Sequence, residues 1–263
     1  MQELVDLITR NMDAFLLAFF RLGAMMTLAP ILGHRSLPIA HRAGLAGLLA
    51  LVLAPLLARP VGAASMDMLG LTLAIAGEVF VGLIIGFVAT LALSTVEIAA
   101  EVAGLQMGFG IASIFDPAMS EQGTVFSRFQ STIALLIFLA VNGHHLLIRA
   151  VATSFHRIGP GGMLDTAVAG GVVSLGGKLL RSGLELAAPL VAVLMVVNVA
   201  LALLGRVAPQ TNIFMVGLPL ALGMGLIGVV DAMPTFGRQV MRLVADIPMD
   251  LNVVFAGARN GLR

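Results

Sequence analysis

The segment Ile111-Ala-Ser-Ile-Phe115 is apolar, yet its neighbours deny it regular structure. Gly108 and Gly110 free the backbone ahead of it, while Pro117 removes a donor behind it and restricts Asp116. An apolar, membrane-grade helix lies on either side. Irregular backbone at membrane depth is tolerated only where protein or a water-filled cavity surrounds it. The stretch 97–145, which contains this segment and ends in Asn142-Gly-His-His145, therefore points to a pore or a gate.

The helix that enters the segment has two faces. Ser94, Glu97, Glu101, Gly104 and Gly108 recur at intervals of three and four and share one side. Ile98, Val102, Leu105 and Phe109 occupy the other. Carboxylates and glycines on one face suit close helix packing or contact with another subunit.

Composition places the whole chain in a membrane. Of its residues 59% are hydrophobic and 11% charged, against about 25% charged in a soluble domain. A net charge of +1 gives no reason to expect nucleic acid. There is no cysteine, which excludes a disulfide framework, thiol redox chemistry and a zinc–thiolate site. Tryptophan and tyrosine, the usual interface anchors of lipid-facing helices, are also missing. With 30 glycines, this fits a chain whose surface mostly meets other subunits.

The apolar pattern predicts an all-α integral membrane protein. Its segments are 12–32 with Arg21 and Pro30; 43–58 with Pro55, short for a span; 68–93 with Glu78 and Gly82-x-x-x-Gly86; a helix over 97–109; and 129–151. After them come an exposed turn over 153–166, a short or amphipathic helix over 167–181, an apolar run over 184–204, and a glycine-broken run over 213–230. The tail after Asp231 reads as a partly ordered amphipathic helix. The N-terminus has Glu3 and Asp6 where a signal peptide has positive charge, so it is expected to remain as the first membrane helix. The chain reads as one membrane-embedded domain over 1–263, with its loop at 108–117 and a tail from about 234.

Several motifs carry weaker signals. Gly223-Met-Gly-Leu-Ile-Gly228 matches the dinucleotide pattern but lies in an apolar run with no preceding strand, so helix packing explains it. Adjacent His144 and His145 point in different directions on a helix and do not form a ligand pair. Arg21, Glu78, Glu97 and Glu101 are charges in or beside apolar segments, each costing about 2.5–3.5 kcal/mol at a bilayer centre. They are either the coupling groups of an ion-driven transporter or paired structural charges. No nucleophile–base constellation and no phosphate-binding loop is present. No enzymatic activity and no cofactor is expected.

Taken in order, further residues resemble one family. Phe20-Arg21-Leu-Gly23 with Pro30 and Pro38, Gly104-Leu-Gln-Met-Gly108, Phe115-Asp-Pro117 and Phe138-Leu-Ala-Val-Asn-Gly-His144 open the series. Ser154-Phe-His156, Ala188-Pro189 and Ala208-Pro-Gln-Thr-Asn-Ile-Phe214 leading to Gly217-Leu-Pro219 complete it. Together, over about 12–230, the chain resembles the FliR family of flagellar biosynthetic proteins, the T-type component of type III secretion export gates.

The resemblance implies bent, broken helical hairpins packed in a multi-subunit helical export gate. That gate lies within the flagellar basal body of the bacterial inner membrane. It implies FliP-type and FliQ-type subunits as direct partners, FlhB-type and FlhA-type export proteins as neighbours, and unfolded flagellar subunits as cargo. It also implies that the loop Gly110, Ile111, Ala112, Ser113, Ile114, Phe115, Asp116, Pro117 helps to close the channel. Glu97, Glu101, Gly104 and Gly108 are the expected packing and subunit-contact residues. An injectisome gate, an ion-coupled secondary transporter and a scaffold without a channel role are the alternatives.

Overall fold

A computed structural model describes residues 2–34, 37–57, 67–110, 123–159, 167–210 and 212–256. Every regular element among them is helical: α1 Gln2–Leu28, α2 Ile39–Leu53 with a 3-10 turn at Ala54–Leu57, α3 Met68–Gln106, α4 Val125–Ala140, α5 Gly143–Arg157, α6 Ala167–Val207 and α7 Ile213–Ala256. The chain is all-α, as the apolar pattern requires. Helices α3, α6 and α7 are long and apolar enough to cross a membrane, and α4 with α5 makes a fourth candidate if the pair is one broken span.

Several elements run on where the sequence suggested a stop. The expected segments 68–93 and 97–109 are one helix, because Ser94, Thr95 and Val96 between them offer no breaker. The segments 167–181 and 184–204 also merge, across Ser182-Gly183, and the helix continues past Pro189. The glycine-broken run over 213–230 and the tail beyond it are a single 44-residue helix. Glycine costs a helix about 1 kcal/mol each, and packing offsets it here. Side chains at Gly225 and Gly228 would press against Met107 at 2.6 Å and Leu190 at 2.8 Å. The Gly223–Gly228 motif is thus a helix-packing surface.

Two further corrections concern α4 and α5. The run 129–151, which reads as one span, is interrupted at Val141-Asn142, where Asn142 adopts φ 58°. Asparagine tolerates this left-handed conformation, and Gly143 then opens α5. The expected exposed turn over 153–166 is helical as far as Arg157, and Ser154 and Phe155 are buried.

The chain gathers into two compact units. Unit 1 comprises Met1–Leu91, Asn142–Gly176 and Ala245–Arg263; unit 2 comprises Ala92–Val141 and Gly177–Val244. In unit 1, α1 packs on α2 and against α3 at two glycines. A Cβ at Gly82 would overlap the Arg21 carbonyl, and one at Gly86 would lie 2.6 Å from the Met25 carbonyl. The small-xxx-small pair read from sequence is therefore a backbone-to-backbone contact. In unit 2, Ala100, Ala103, Met107, Phe126, Leu190, Leu194 and Val229 form one apolar cluster, with Phe109 and Leu222 against it.

Candidate functional site

The end of α3 is set by Gly108. It sits at φ 92°, a conformation that glycine adopts without penalty. The Gly108 N–H donates to the Leu105 carbonyl at 3.1 Å and the Phe109 N–H to the Gly104 carbonyl at 3.0 Å. This is the Schellman arrangement, which satisfies carbonyls that a helix end otherwise leaves open. Gly108 thus fixes the exit of the chain. Met107, fully buried, and Phe109 seat that exit on the unit 2 cluster.

The chain returns at Gly123, with φ 74°. Thr124 caps α4, its hydroxyl accepting from the Ser127 N–H at 3.1 Å. One oxygen of Glu101, Oε2, accepts from the Thr124 N–H at 2.8 Å and from the Thr124 hydroxyl at 3.0 Å. One turn further along α3, Gly104 makes room, since a Cβ there would stand 2.6 Å from the Thr124 hydroxyl. The rings of Phe109 and Phe126 stack with centroids 6.2 Å apart and planes 6° apart. Exit and return are therefore clasped together in unit 2, by a polar latch and an aromatic one.

The expected site residues fall unequally on this geometry. Glu101 and Gly104 form the latch, and Gly108 the helix stop. Glu97 is exposed on α3. Gly110 closes the described part of the exit, where a Cβ would meet the Leu105 side chain at 2.7 Å. Ile111, Ala112, Ser113, Ile114, Phe115, Asp116 and Pro117 lie outside the described residues. Ile98, Val102 and Leu105, on the other face of α3, are exposed and offer an apolar surface. Thr124 and Ser127 fall in 116–128, which reads from the sequence as a polar linker, though a threonine one residue before an apolar helix is a capping signal.

Unit 1 holds a second polar constellation. Arg21 is fully buried, and its Nε donates to Glu78 Oε2. One terminal nitrogen donates to the Ser154 hydroxyl at 2.8 Å and the other to the Ile158 carbonyl at 3.3 Å. The guanidinium carbon lies 3.6 Å from the centre of the Phe155 ring, a cation–π contact. Arginine suits this place because its fixed fork of donors serves three partners at once. Glu78 is thereby an ion-pair partner joining α3 to α1.

Comparison with known proteins adds the following. The sequence model of the bacterial export proteins, family 1, matches residues 12–247. The flagellar biosynthetic protein FliR of Escherichia coli (strain K12) is 35% identical over 243 residues, covering 89% of this chain and 92% of that protein. The FliR of Bacillus subtilis (strain 168) is 34% identical over 237 residues, covering 89% of each. That of Caulobacter vibrioides is 34% identical over 215 residues, covering 80% of this chain and 84% of its relative.

Proposed function

The chain belongs to family 1 of the bacterial export proteins, with the FliR flagellar biosynthetic proteins as its relatives, and from that premise we propose that it closes and lines the flagellar export channel without being an enzyme. It is a membrane-embedded subunit of the flagellar protein export gate. FliP-type and FliQ-type subunits are its direct neighbours in this reading, FlhB-type and FlhA-type proteins lie close by, and unfolded flagellar subunits are the cargo. The complex sits in the inner membrane, at the base of the flagellum.

The observation that carries the proposal is the double clasp, Glu101 to Thr124 and Phe109 to Phe126, at the ends of 111–122. A segment that must yield to a passing chain and then close again needs fixed ends. The clasp supplies them through Glu101, Phe109, Thr124 and Phe126, which lie outside the segment. Ile111, Ile114 and Phe115 then provide an apolar constriction, which blocks hydrated ions by dewetting. The transporter alternative loses support from the same geometry. The Glu78 carboxylate is committed to Arg21 and the Glu101 carboxylate to Thr124. The flagellar names of the relatives favour a flagellar gate over an injectisome.

The test is a chromosomal deletion complemented by a tagged copy. Expected are loss of motility and of secreted flagellar proteins in the deletion strain, and recovery of a multi-subunit complex through the tag. Unchanged secretion of flagellar proteins by the deletion strain overturns the reading.

A further inference from the structure

We propose that a cleft in unit 2, formed by α3, α4, α6 and α7, receives a basic side chain from a neighbouring subunit of the export complex. The cleft has a volume of about 220 Å³. Drug-sized ligands occupy pockets of roughly 300–1,000 Å³, so this one suits a single inserted side chain. Its floor is apolar, built from small residues of α3 such as Ala99 and Ala103 and from the Phe236 ring of α7.

Three polar residues from three different helices line the cleft. Gln130 of α4 lines the cleft and is only 9% exposed, and its Oε1 is buried with no hydrogen-bond partner among the described residues. A buried acceptor left open is costly unless a donor arrives. Glu185 of α6 and Asp231 of α7 stand at the mouth, both exposed. Glu185 Oε1 accepts from Arg181 at 3.0 Å in a largely exposed pair, which is weak and readily exchanged. Asp231 has no hydrogen bond or ion pair among the described residues.

One buried acceptor and two carboxylates around an apolar floor complement a donor-only, positively charged group on an apolar stem. Arginine and lysine are the side chains that fit, with the methylenes on the floor and the head among the oxygens. A lipid tail fits poorly. Both carboxylates lie on helices apolar and long enough to span a membrane, and ionised groups there face protein or water in preference to hydrocarbon.

The proposal rests on the reading of the chain as one subunit of a larger gate, and the experiment separates the two. A photo-crosslinking amino acid is placed at Val193, an exposed residue of the cleft, and separately at Leu136, exposed on α4 and outside the cleft. Each variant is expressed in the whole complex, irradiated, and its adducts are sequenced by mass spectrometry. The expected Val193 adduct is a peptide of another subunit containing arginine or lysine. The pair E185Q/D231N should reduce that adduct roughly tenfold and leave the Leu136 adduct unchanged. An adduct with lipid, a neighbouring peptide lacking a basic residue, or a yield indifferent to E185Q/D231N overturns the proposal. Leu136 adducts without a Val193 adduct overturn it alone. Absence of both kinds of adduct overturns the multi-subunit reading with it.

Discussion

Arg21 and Glu78 form an ion pair inside unit 1 with side-chain exposures of 1% and 0%. Such a pair joins α1 to α3 at the level where Gly82 brings their backbones into contact. Removing one member of a buried pair leaves a charge without compensation, at a cost of about 3–5 kcal/mol. Replacing both with apolar residues of similar volume is often close to neutral. Arg21→Met and Glu78→Leu should therefore each lower the amount of chain recovered from membranes. The double variant should recover most of the loss. Quantitative immunoblotting of membrane fractions reads the difference. A double variant as depleted as the worse single one would mean that Arg21 acts chiefly through Ser154, Ile158 and Phe155.

The close approach beside that pair can be tested separately. A valine at Gly82 would drive its Cβ into the Arg21 carbonyl, which belongs to a helix backbone and has nowhere to move. Overpacking typically costs about 1–3 kcal/mol and sometimes more. Gly82→Val should reduce membrane-inserted chain, whereas Gly44→Ala on α2, with nothing within 4 Å, should not. Trypsin resistance of the membrane fraction is a second measure. Equal resistance of the two variants would contradict the packing argument.

Glu101 and Gly104 should differ in what they tolerate. Glutamine at 101 keeps an oxygen that can accept from the Thr124 N–H while removing the charge. The charge-assisted bonds weaken, by about 1 kcal/mol or somewhat more. E97Q/E101Q should retain partial export. Gly104→Leu places a side chain where the Thr124 hydroxyl already stands, so the latch cannot close and assembly should fail. Secretion assays and recovery of the complex distinguish the two. An assembled E97Q/E101Q complex with no export at all would favour proton coupling instead.

How far the sequence carried can be judged residue by residue. The all-α class follows from the apolar pattern, and the shared face of Glu101 and Gly104 from helical spacing. That Arg21 and Glu78 are paired charges was one of two readings left open by bare charges in apolar runs, and which charge pairs with which was not legible. What the sequence hid was continuity. Glycine and proline counts argue for breaks in 213–230, but Met107 and Leu190 fill the space beside Gly225 and Gly228 and hold the helix together. Asn142 produces a real break that hydropathy averages over. The contacts of Ser154 and Phe155 with Arg21, and of Thr124 with Glu101, were not legible because those partners lie far away in sequence. The sequence neighbours of Ser154, Phe155 and Thr124 look like turn and linker.

The clasp at the ends of 111–122 leads to the last prediction. Deleting Gly110, Ile111, Ala112 and Ser113 removes a glycine, two apolar residues and a serine. The deletion leaves the Gly108 helix stop, the Glu101–Thr124 latch and the Phe109–Phe126 stack in place. Those contacts hold exit and return close together, so the shortened chain still bridges them, at only a small change in loop-closure entropy. Assembly of the complex should therefore survive. Closure should not, because the apolar constriction loses Ile111 and the segment that carries Ile114 and Phe115 is shortened. The expected result is a complex recovered in parental amounts from cells that have become leaky to small ions. Membrane conductance, or growth under ionic stress, is measured beside recovery of the complex. An assembled deletion complex as ion-tight as the parent would sink the idea that these residues close the channel. Loss of the complex would instead show that they hold the subunits together, and that the clasp alone does not fix the ends.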